Sequence, residues 1–384
     1  MTMMTMTKRI TLTLLAATAL SPAAYAQNPK VLKIGSIFAL SGPNASIGKE
    51  SLGGAAYAVK KLNDEGGVMI GSEKYRLELI NVDDESKAER SVAAAEKLIG
   101  GDNVPVILMP PSSTTTLAVV PITEKNKRIA LSFIAAAPEV TGPEYKYSFR
   151  TTLTSIMNVE PSIEYLIKVR GAKTIAYLGR NDDWGRSAGK AITATAKRLG
   201  GDVVVTEYFE TGSTDFYGLL TKVRASKPDA VVGGAFIEDG VAMIKQYREL
   251  QMSPAFLSIA VIWGSPTFLK AAGDTTNGIY IATGPTTSVS PELDTFKAQF
   301  LKDTGGEALP YNTTAYDNVN LVIAAMKKAG SADPEKVVGT LRGFEYKGLL
   351  QTYKFDNSNQ SQVVINVNEV KNGKVSVIST LLAK

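Results

Sequence analysis

The sequence predicts an α/β protein built on doubly wound parallel sheets. Three observations carry that prediction. Short apolar runs, apolar on both faces, recur after residue 30. Between them lie stretches with apolar residues every three or four positions. The two kinds of segment alternate, which implies crossovers between parallel strands. The alternation runs on too long for one compact sheet, so two lobes with a cleft between them are expected.

Taken in order, the strand-like runs are residues 31–38, 104–109, 128–133, 174–178, 230–233 and 256–259. Leu52, Val59 and Leu62 mark a first helical stripe. Ile156, Val159, Ile163 and Leu166 mark a second, with Ser155 as its N-cap. Tyr316, Val319, Ile323 and Met326 mark a third. The first series of β-α units ends at Phe149-Arg150-Thr151, and a second runs from Ser155 to about Thr283. Residues 284–290, rich in Gly, Pro, Thr and Ser, read as a connector. Residues 363–370 and 375–381 flank Asn372-Gly373, a strong hairpin signal.

The N-terminus reads as an export signal. Lys8 and Arg9 precede an apolar stretch at 10–20 that is too short to span a bilayer. Ser21 and Pro22 break it, and Ala24-Tyr25-Ala26 fits a cleavage site before Gln27. Residues 1–26 are therefore expected to be a signal peptide. With no Cys at the cut to carry a lipid, the mature chain is expected free in a Gram-negative periplasm.

Composition narrows the chemistry. The 384 residues include no Cys and no His. That excludes a disulfide, a thiol nucleophile and an iron–sulfur cluster, and removes the commonest general base and zinc ligand. Ser-His-Asp and Cys-His catalysis are impossible within the chain. The expectation is a protein that is not an enzyme and holds no cofactor and no metal. It also implies binding that varies little between about pH 6 and 8, where ordinary Asp, Glu and Lys do not titrate. The net charge of +5 is mild, and no dense Lys/Arg block marks a nucleic-acid surface.

Two motif matches fail on inspection. Gly185-Arg186-Ser187-Ala188-Gly189 fits G-x-S-x-G, but no base exists to activate Ser187, and the segment reads as a helix start with small residues packed on a sheet. Residues 42–49 resemble a P-loop with one residue too many, and Glu50 stands where Ser or Thr would hold magnesium. The segment from Ser41 to Gly48 still follows the first strand and so lies at the sheet's carboxyl edge.

Three groups remain as cleft walls. Ser112-Ser113-Thr114-Thr115-Thr116 follows a strand run and two prolines and enters a helix. Hydroxyls beside free helix-start N–H groups can make an anion site, although ordinary capping needs one of the five. The run from Ser132 through Phe133, Ile134, Ala135, Ala136 and Ala137 to Pro138 has small residues that let a ligand approach the backbone. Trp184, Phe236 and Tyr311 fall in loops at expected element ends.

The order Ile34-Gly35, Ser41-Gly42-Pro43, Asn63 with Gly66-Gly67, Asp83-Asp84, Ser112-Ser113-Thr114, Ala137-Pro138-Glu139-Val140-Thr141, Phe149-Arg150-Thr151, Trp184-Gly185 and Tyr316-Asp317 resembles the leucine/isoleucine/valine-binding proteins of ABC importers. These are type I periplasmic binding proteins. The resemblance implies two Rossmann-like lobes joined by three crossings. Lobe 1 would be residues 27–151 plus 284–353, and lobe 2 residues 152–283 plus 354–384. It implies a ligand carboxylate at Ser113, with Pro111 and Ser112 beside it, and at the Ile134 N–H. Ala136 stands where the amino-acid binders have a threonine, Trp184 and Phe236 where they have tyrosines, and Tyr311 where they have a phenylalanine. Ile47 lies where an aromatic usually covers the side-chain pocket.

The largest departure follows residues 256–259. The amino-acid binders carry there an acid for the ligand's ammonium, and this chain has Ala260-Val261-Ile262-Trp263. A buried ammonium without a partner costs several kcal/mol. The implied protein is an exported, monomeric receptor that passes a small apolar or aromatic carboxylate, an aryl carboxylate or a 2-oxo acid, to an inner-membrane ABC permease it meets transiently. Trp263 would add a flat surface beside Trp184, Phe236 and Tyr311. The alternatives are a branched-chain or other hydrophobic amino acid, for which Glu238 or Asp239 would supply the acid, and, remotely, a secreted α/β hydrolase.

Overall fold

The computed structural model describes residues 29–284 and 290–382. Its elements in the first half are β1 (Lys30–Ser36), α1 (Ala45–Asp64), β2 (Val68–Ile70), β3 (Glu73–Asn81), α2 (Ala88–Glu96), β4 (Val106–Leu108), α3 (Ser113–Lys125), β5 (Ile129–Ser132) and β6 (Ser148–Arg150). Next come α4 (Ser155–Glu164), β7 (Thr174–Arg180), α5 (Asp183–Arg198), β8 (Asp202–Phe209), α6 (Tyr217–Ala225), β9 (Ala230–Gly234), α7 (Ile237–Glu249), β10 (Ala255–Ser258), α8 (Pro266–Ala272) and β11 (Tyr280–Thr283). The chain ends with α9 (Pro291–Thr304), α10 (Pro310–Ala329), α11 (Pro334–Arg342), β12 (Glu345–Lys347), β13 (Thr352–Lys354), β14 (Val364–Lys371) and β15 (Lys374–Leu382).

Two sheets organise these elements. The first has the order β2-β3-β1-β4-β5-β6, and the second β15-β14-β11-β10-β9-β7-β8. Strands β3, β1, β4, β5 and β6 run parallel, as do β8, β7, β9, β10 and β11. Strands β4, β5 and β9 are buried at every residue, the mark of a sheet covered on both faces. Helices α10 and α11 return to the first sheet, where Val319, Val322, Met326 and Val337 join the cluster of Ile34, Leu108 and Leu131. The terminal hairpin returns to the second, where Val367 and Val370 join Val231 and Leu257. This is the two-lobed, doubly wound architecture expected, with the chain crossing between sheets after β6, after β11 and after β13.

Local differences have physical reasons. The N-cap of α4 is Thr154, whose hydroxyl accepts from Met157 N–H at 3.0 Å, and Ser155 is the first helical residue. Ile156 is 48% exposed and leaves the apolar stripe, because the buried face of α4 runs through Val159 and Ile163. The hairpin turn is as anticipated: Asn372 and Gly373 both hold positive φ, 51° and 70°, matching the twist of the flanking strands. The expected signal at 1–26 and residues 285–289 of the expected connector lie outside the described residues. Among the described residues no helix is long and apolar enough to cross a membrane.

The crossings are clamped by Arg150, which is 1% exposed. Its Nε donates to Gln360 Oε1 at 2.5 Å, Nη1 to the Ala137 carbonyl and Nη2 to Thr141 Oγ1 at 3.0 Å. Gln360 in turn donates to the Thr152 carbonyl at 2.7 Å. Burial, only partly offset by the charges of Glu139 and Asp356, pushes the guanidinium down to about 9.

Candidate functional site

A cavity of about 110 Å³ opens between the two sheets, at the carboxyl ends of their strands. Ile47, Pro111, Ser113, Ile134, Ala135, Ala136, Trp184, Phe236 and Tyr311 all line it. Ala136 and Tyr311, from elements of the first sheet's layer, pack against the core of the second, so the walls meet around the cavity. Ser112 is the one anticipated site residue outside the lining. It occupies the N-cap of α3, and its carbonyl, not its hydroxyl, is engaged, accepting from Thr115 Oγ1 and Thr116 N–H.

The first wall is the start of α3 and the loop after β5. Ser113 is 2% exposed, and its Oγ accepts from Ala136 N–H at 3.2 Å and Ala137 N–H at 3.0 Å. Two consequences follow. The Ala136 N–H is committed to this hydroxyl and is not free for a ligand carboxylate. The hydroxyl, with its lone pairs taken, has its proton left to donate into the cavity. Ser112 makes no side-chain cap, so the first-turn N–H groups of α3 keep their positive field.

The second wall is the start of α5, the start of α7 and the turn after β10. Trp184 and Phe236 lie at helix starts rather than in loops. Trp184 is the second residue of α5, and Phe236 caps α7. Asp182 caps α5 by accepting from Gly185 N–H at 2.8 Å. Gly185 is required there, because a Cβ would sit 2.0 Å from the Arg180 carbonyl. Trp263 is not a cavity wall. The helical turn Val261–Gly264 folds it into the core, where it is fully buried, stacks between Phe256 and Phe268 and donates Nε1–H to the Ala235 carbonyl at 3.1 Å. Glu238 points to solvent. Asp239 is buried off the lining, with Oδ1 accepting from Gly212 N–H at 2.8 Å, and burial pushes it up to about 6.

No Asp or Glu lines the cavity among the described residues, and Ala260, Val261 and Ile262 do. Its one charged lining residue is Arg180, the last residue of β7. Sequence reading passed over this arginine in favour of hydroxyls and aromatics. The available signal was a charge ending an apolar strand run, at the edge where α/β sheets bind ligands. No cluster of Asp, Glu, His or Cys suited to a metal occurs among the described residues.

Glu50 adds a group that the absence of His did not anticipate. It lies on α1 one turn beyond Ile47, and its Oε2 is buried without a partner. Burial, opposed by a hydrogen bond from the Tyr311 backbone, pushes it up to about 7. A titrating group thus stands beside the cavity wall between pH 6 and 8. The folded value lies above the ordinary 4.5, so the native state binds the extra proton. The associated stability is complete below pH 4.5 and is lost as pH rises through about 7. Glu50→Gln is expected to gain about 2–3 kcal/mol at pH 8 and to flatten the decline between pH 5 and 7. Urea melts at several pH values check this, and a wild-type curve already flat over that range would refute it.

The comparisons with known proteins agree with this geometry. A model of the family described as periplasmic binding protein matches residues 31–374. A leucine-, isoleucine-, valine-, threonine- and alanine-binding protein of Pseudomonas aeruginosa is 27% identical over 348 residues, covering 87% of this chain and 91% of its own. A Leu/Ile/Val-binding protein of Rhizobium johnstonii is 29% identical over 340 residues, covering 87% of this chain and 88% of its own. A solute-binding protein of an ABC transporter from R. palustris, crystallised with 4-hydroxybenzoate, superposes with a TM-score of 0.81 at 22% identity, over 92% of this chain and 98% of that one. With the family matched across both lobes and the cleft, the chain belongs to the periplasmic binding proteins and, within them, to the leucine/isoleucine/valine-binding family.

Proposed function

We propose that the chain is the receptor of an ABC importer for a small apolar or aromatic acid without an α-ammonium, such as an aryl carboxylate or a 2-oxo acid. One observation carries the ligand class: the cavity presents a donating hydroxyl beside an uncapped helix start and, among the described residues, no carboxylate. An ammonium enclosed there would cost several kcal/mol without a partner. A carboxylate would meet the Ser113 proton and the uncapped start of α3. The volume of about 110 Å³ is near the ~150 Å³ at which an apolar cavity takes one benzene ring. That scale suits one ring or one branched chain, flanked by Trp184, Phe236 and Tyr311. The expected signal peptide delivers the receptor to the periplasm as a monomer. Closure of the lobes then makes the form a membrane permease recognises. The chain contains no His and no Cys, which supports binding without catalysis.

A branched-chain amino acid is the second reading, favoured by the names of the curated relatives. A melting-temperature panel pairing leucine, isoleucine and valine with their 2-oxo analogues, with benzoate added, separates the two. A ligand at 100 times its Kd adds roughly 2.7 kcal/mol of stability. Melting points raised by the amino acids alone would overturn the proposal, and Asp239 would become the first residue to mutate. With a ligand in hand, Ser113→Ala is expected to weaken binding by about 1.5–3 kcal/mol, because it removes a donor to a buried charge. Ser187→Ala, on the half-buried face of α5, is expected to leave affinity unchanged. Equal small effects would reduce Ser113 to a loop anchor.

A further inference from the structure

Resting on that carboxylate reading, we propose that Arg180 forms a second polar subsite in the cleft, one that receives a neutral oxygen: a phenolic hydroxyl on a ring acid, at the end remote from its carboxylate. Arg180 is 5% exposed and lines the cavity. Its Nε donates to Asp182 Oδ2 at 2.8 Å, and Asp182 is itself held as the cap of α5. The guanidinium carbon stands 3.7 Å from the Phe236 ring centroid and 4.6 Å from that of Trp184. The fork is thereby held by contacts with two aromatic rings and by an ion pair to Asp182. Nη1 and Nη2 have no hydrogen-bond partner among the described residues. A buried arginine held this rigidly with two free donor ends is poised for an acceptor that protein groups do not supply.

Charge decides what that acceptor is. Asp182 already balances Arg180, and Asp239 stands close enough for the guanidinium's charge to act on its carboxyl. The second wall is therefore neutral or slightly negative, and a full carboxylate gains little there. The first wall offers the Ser113 proton and a helix start with no acid on the lining. A carboxylate partitions to Ser113, and an uncharged oxygen takes the Arg180 fork. Trp184 and Phe236 line the cavity beside Arg180, so an aromatic ring bound against them brings its substituent to the fork.

Calorimetry with benzoate, 4-methylbenzoate and 4-hydroxybenzoate tests this, since methyl and hydroxyl occupy nearly the same space. The wild-type protein should bind 4-hydroxybenzoate about tenfold or more tighter than 4-methylbenzoate. Arg180→Met should erase that preference, read as the ratio of the two affinities within the variant, and Arg180→Lys, which has no planar fork, should reduce it. Should Arg180→Met not fold, the wild-type comparison and Arg180→Lys still decide. Equal wild-type affinity for the methyl and hydroxyl acids overturns the subsite. So does an Arg180→Met that loses benzoate as strongly as 4-hydroxybenzoate, which would make Arg180 the carboxylate's partner. Binding of 2-oxo acids but none of the three ring acids overturns this proposal alone. Binding of no acid at all overturns the carboxylate reading with it.

Discussion

Trp263→Ala should cost the protein about 3–5 kcal/mol, as large aromatic-to-alanine changes in cores do. The side chain is fully buried, with its ring 4.5 Å from that of Phe268 and 5.5 Å from that of Phe256, both nearly parallel to it. Its Nε1–H satisfies the Ala235 carbonyl at 3.1 Å. Truncation empties the space between two rings and leaves a buried carbonyl unpaired, and the two losses add. Ala235 also lines the cavity, so the second wall loses a support and affinity should fall too. A lower urea midpoint at unchanged slope, with weaker ligand binding, is the expected record. Trp263→Phe should recover most of the packing but not the hydrogen bond. A loss under about 1 kcal/mol for alanine would place Trp263 outside the core and return it to the cleft.

The contrast between Trp263 and Trp184 shows what the sequence could carry. Both rings follow strand runs, and position along the chain says nothing about which way a ring points. The turn Val261–Gly264 rotates one inward, while the Asp182 cap of α5 presents the other to the cavity. Ser112 and Ser113 differ by one helical step, and only helix phase decides that the second reaches the cavity. The doubly wound layout was legible because β4, β5 and β9 are apolar at nearly every position, which leaves a period that needs no tertiary information. Strand β3 lacks such an apolar run; its signal is the alternation of Lys74, Arg76 and Glu78 with Tyr75, Leu77 and Leu79, the period of a half-buried strand, which a search for runs apolar on both faces passes over. Arg180 escaped because a charge at the end of a strand reads as solvated until the rings that stack on it are placed.

Arg150→Ala should be of similar size, about 3–5 kcal/mol, for a different reason. The guanidinium joins three separated stretches: Ala137 and Thr141 behind the first wall, its own position at the end of β6, and Gln360 in the last crossing. Its backbone is tied to the same crossing, with N–H donating to the Asn359 carbonyl at 2.9 Å and the carbonyl accepting from Ser361 N–H at 2.8 Å. Alanine leaves Gln360 Oε1 buried without its donor, costing about 1–3 kcal/mol, and takes one of two donors from the Ala137 carbonyl, which keeps Val140 N–H at 3.1 Å; the emptied volume adds to the loss. Arg150→Lys should recover little, since a single ammonium cannot reach acceptors on two sides at once. Arg150→Met tests whether packing alone suffices. It fills much of the space yet restores none of the lost donors, so it should fall between wild type and alanine. Because Ala137 also donates its N–H to Ser113 Oγ at 3.0 Å, the loosened loop should weaken ligand binding along with stability. If lysine restores both stability and affinity, charge rather than the three-way fork holds the crossings together, and the clamp described here is wrong.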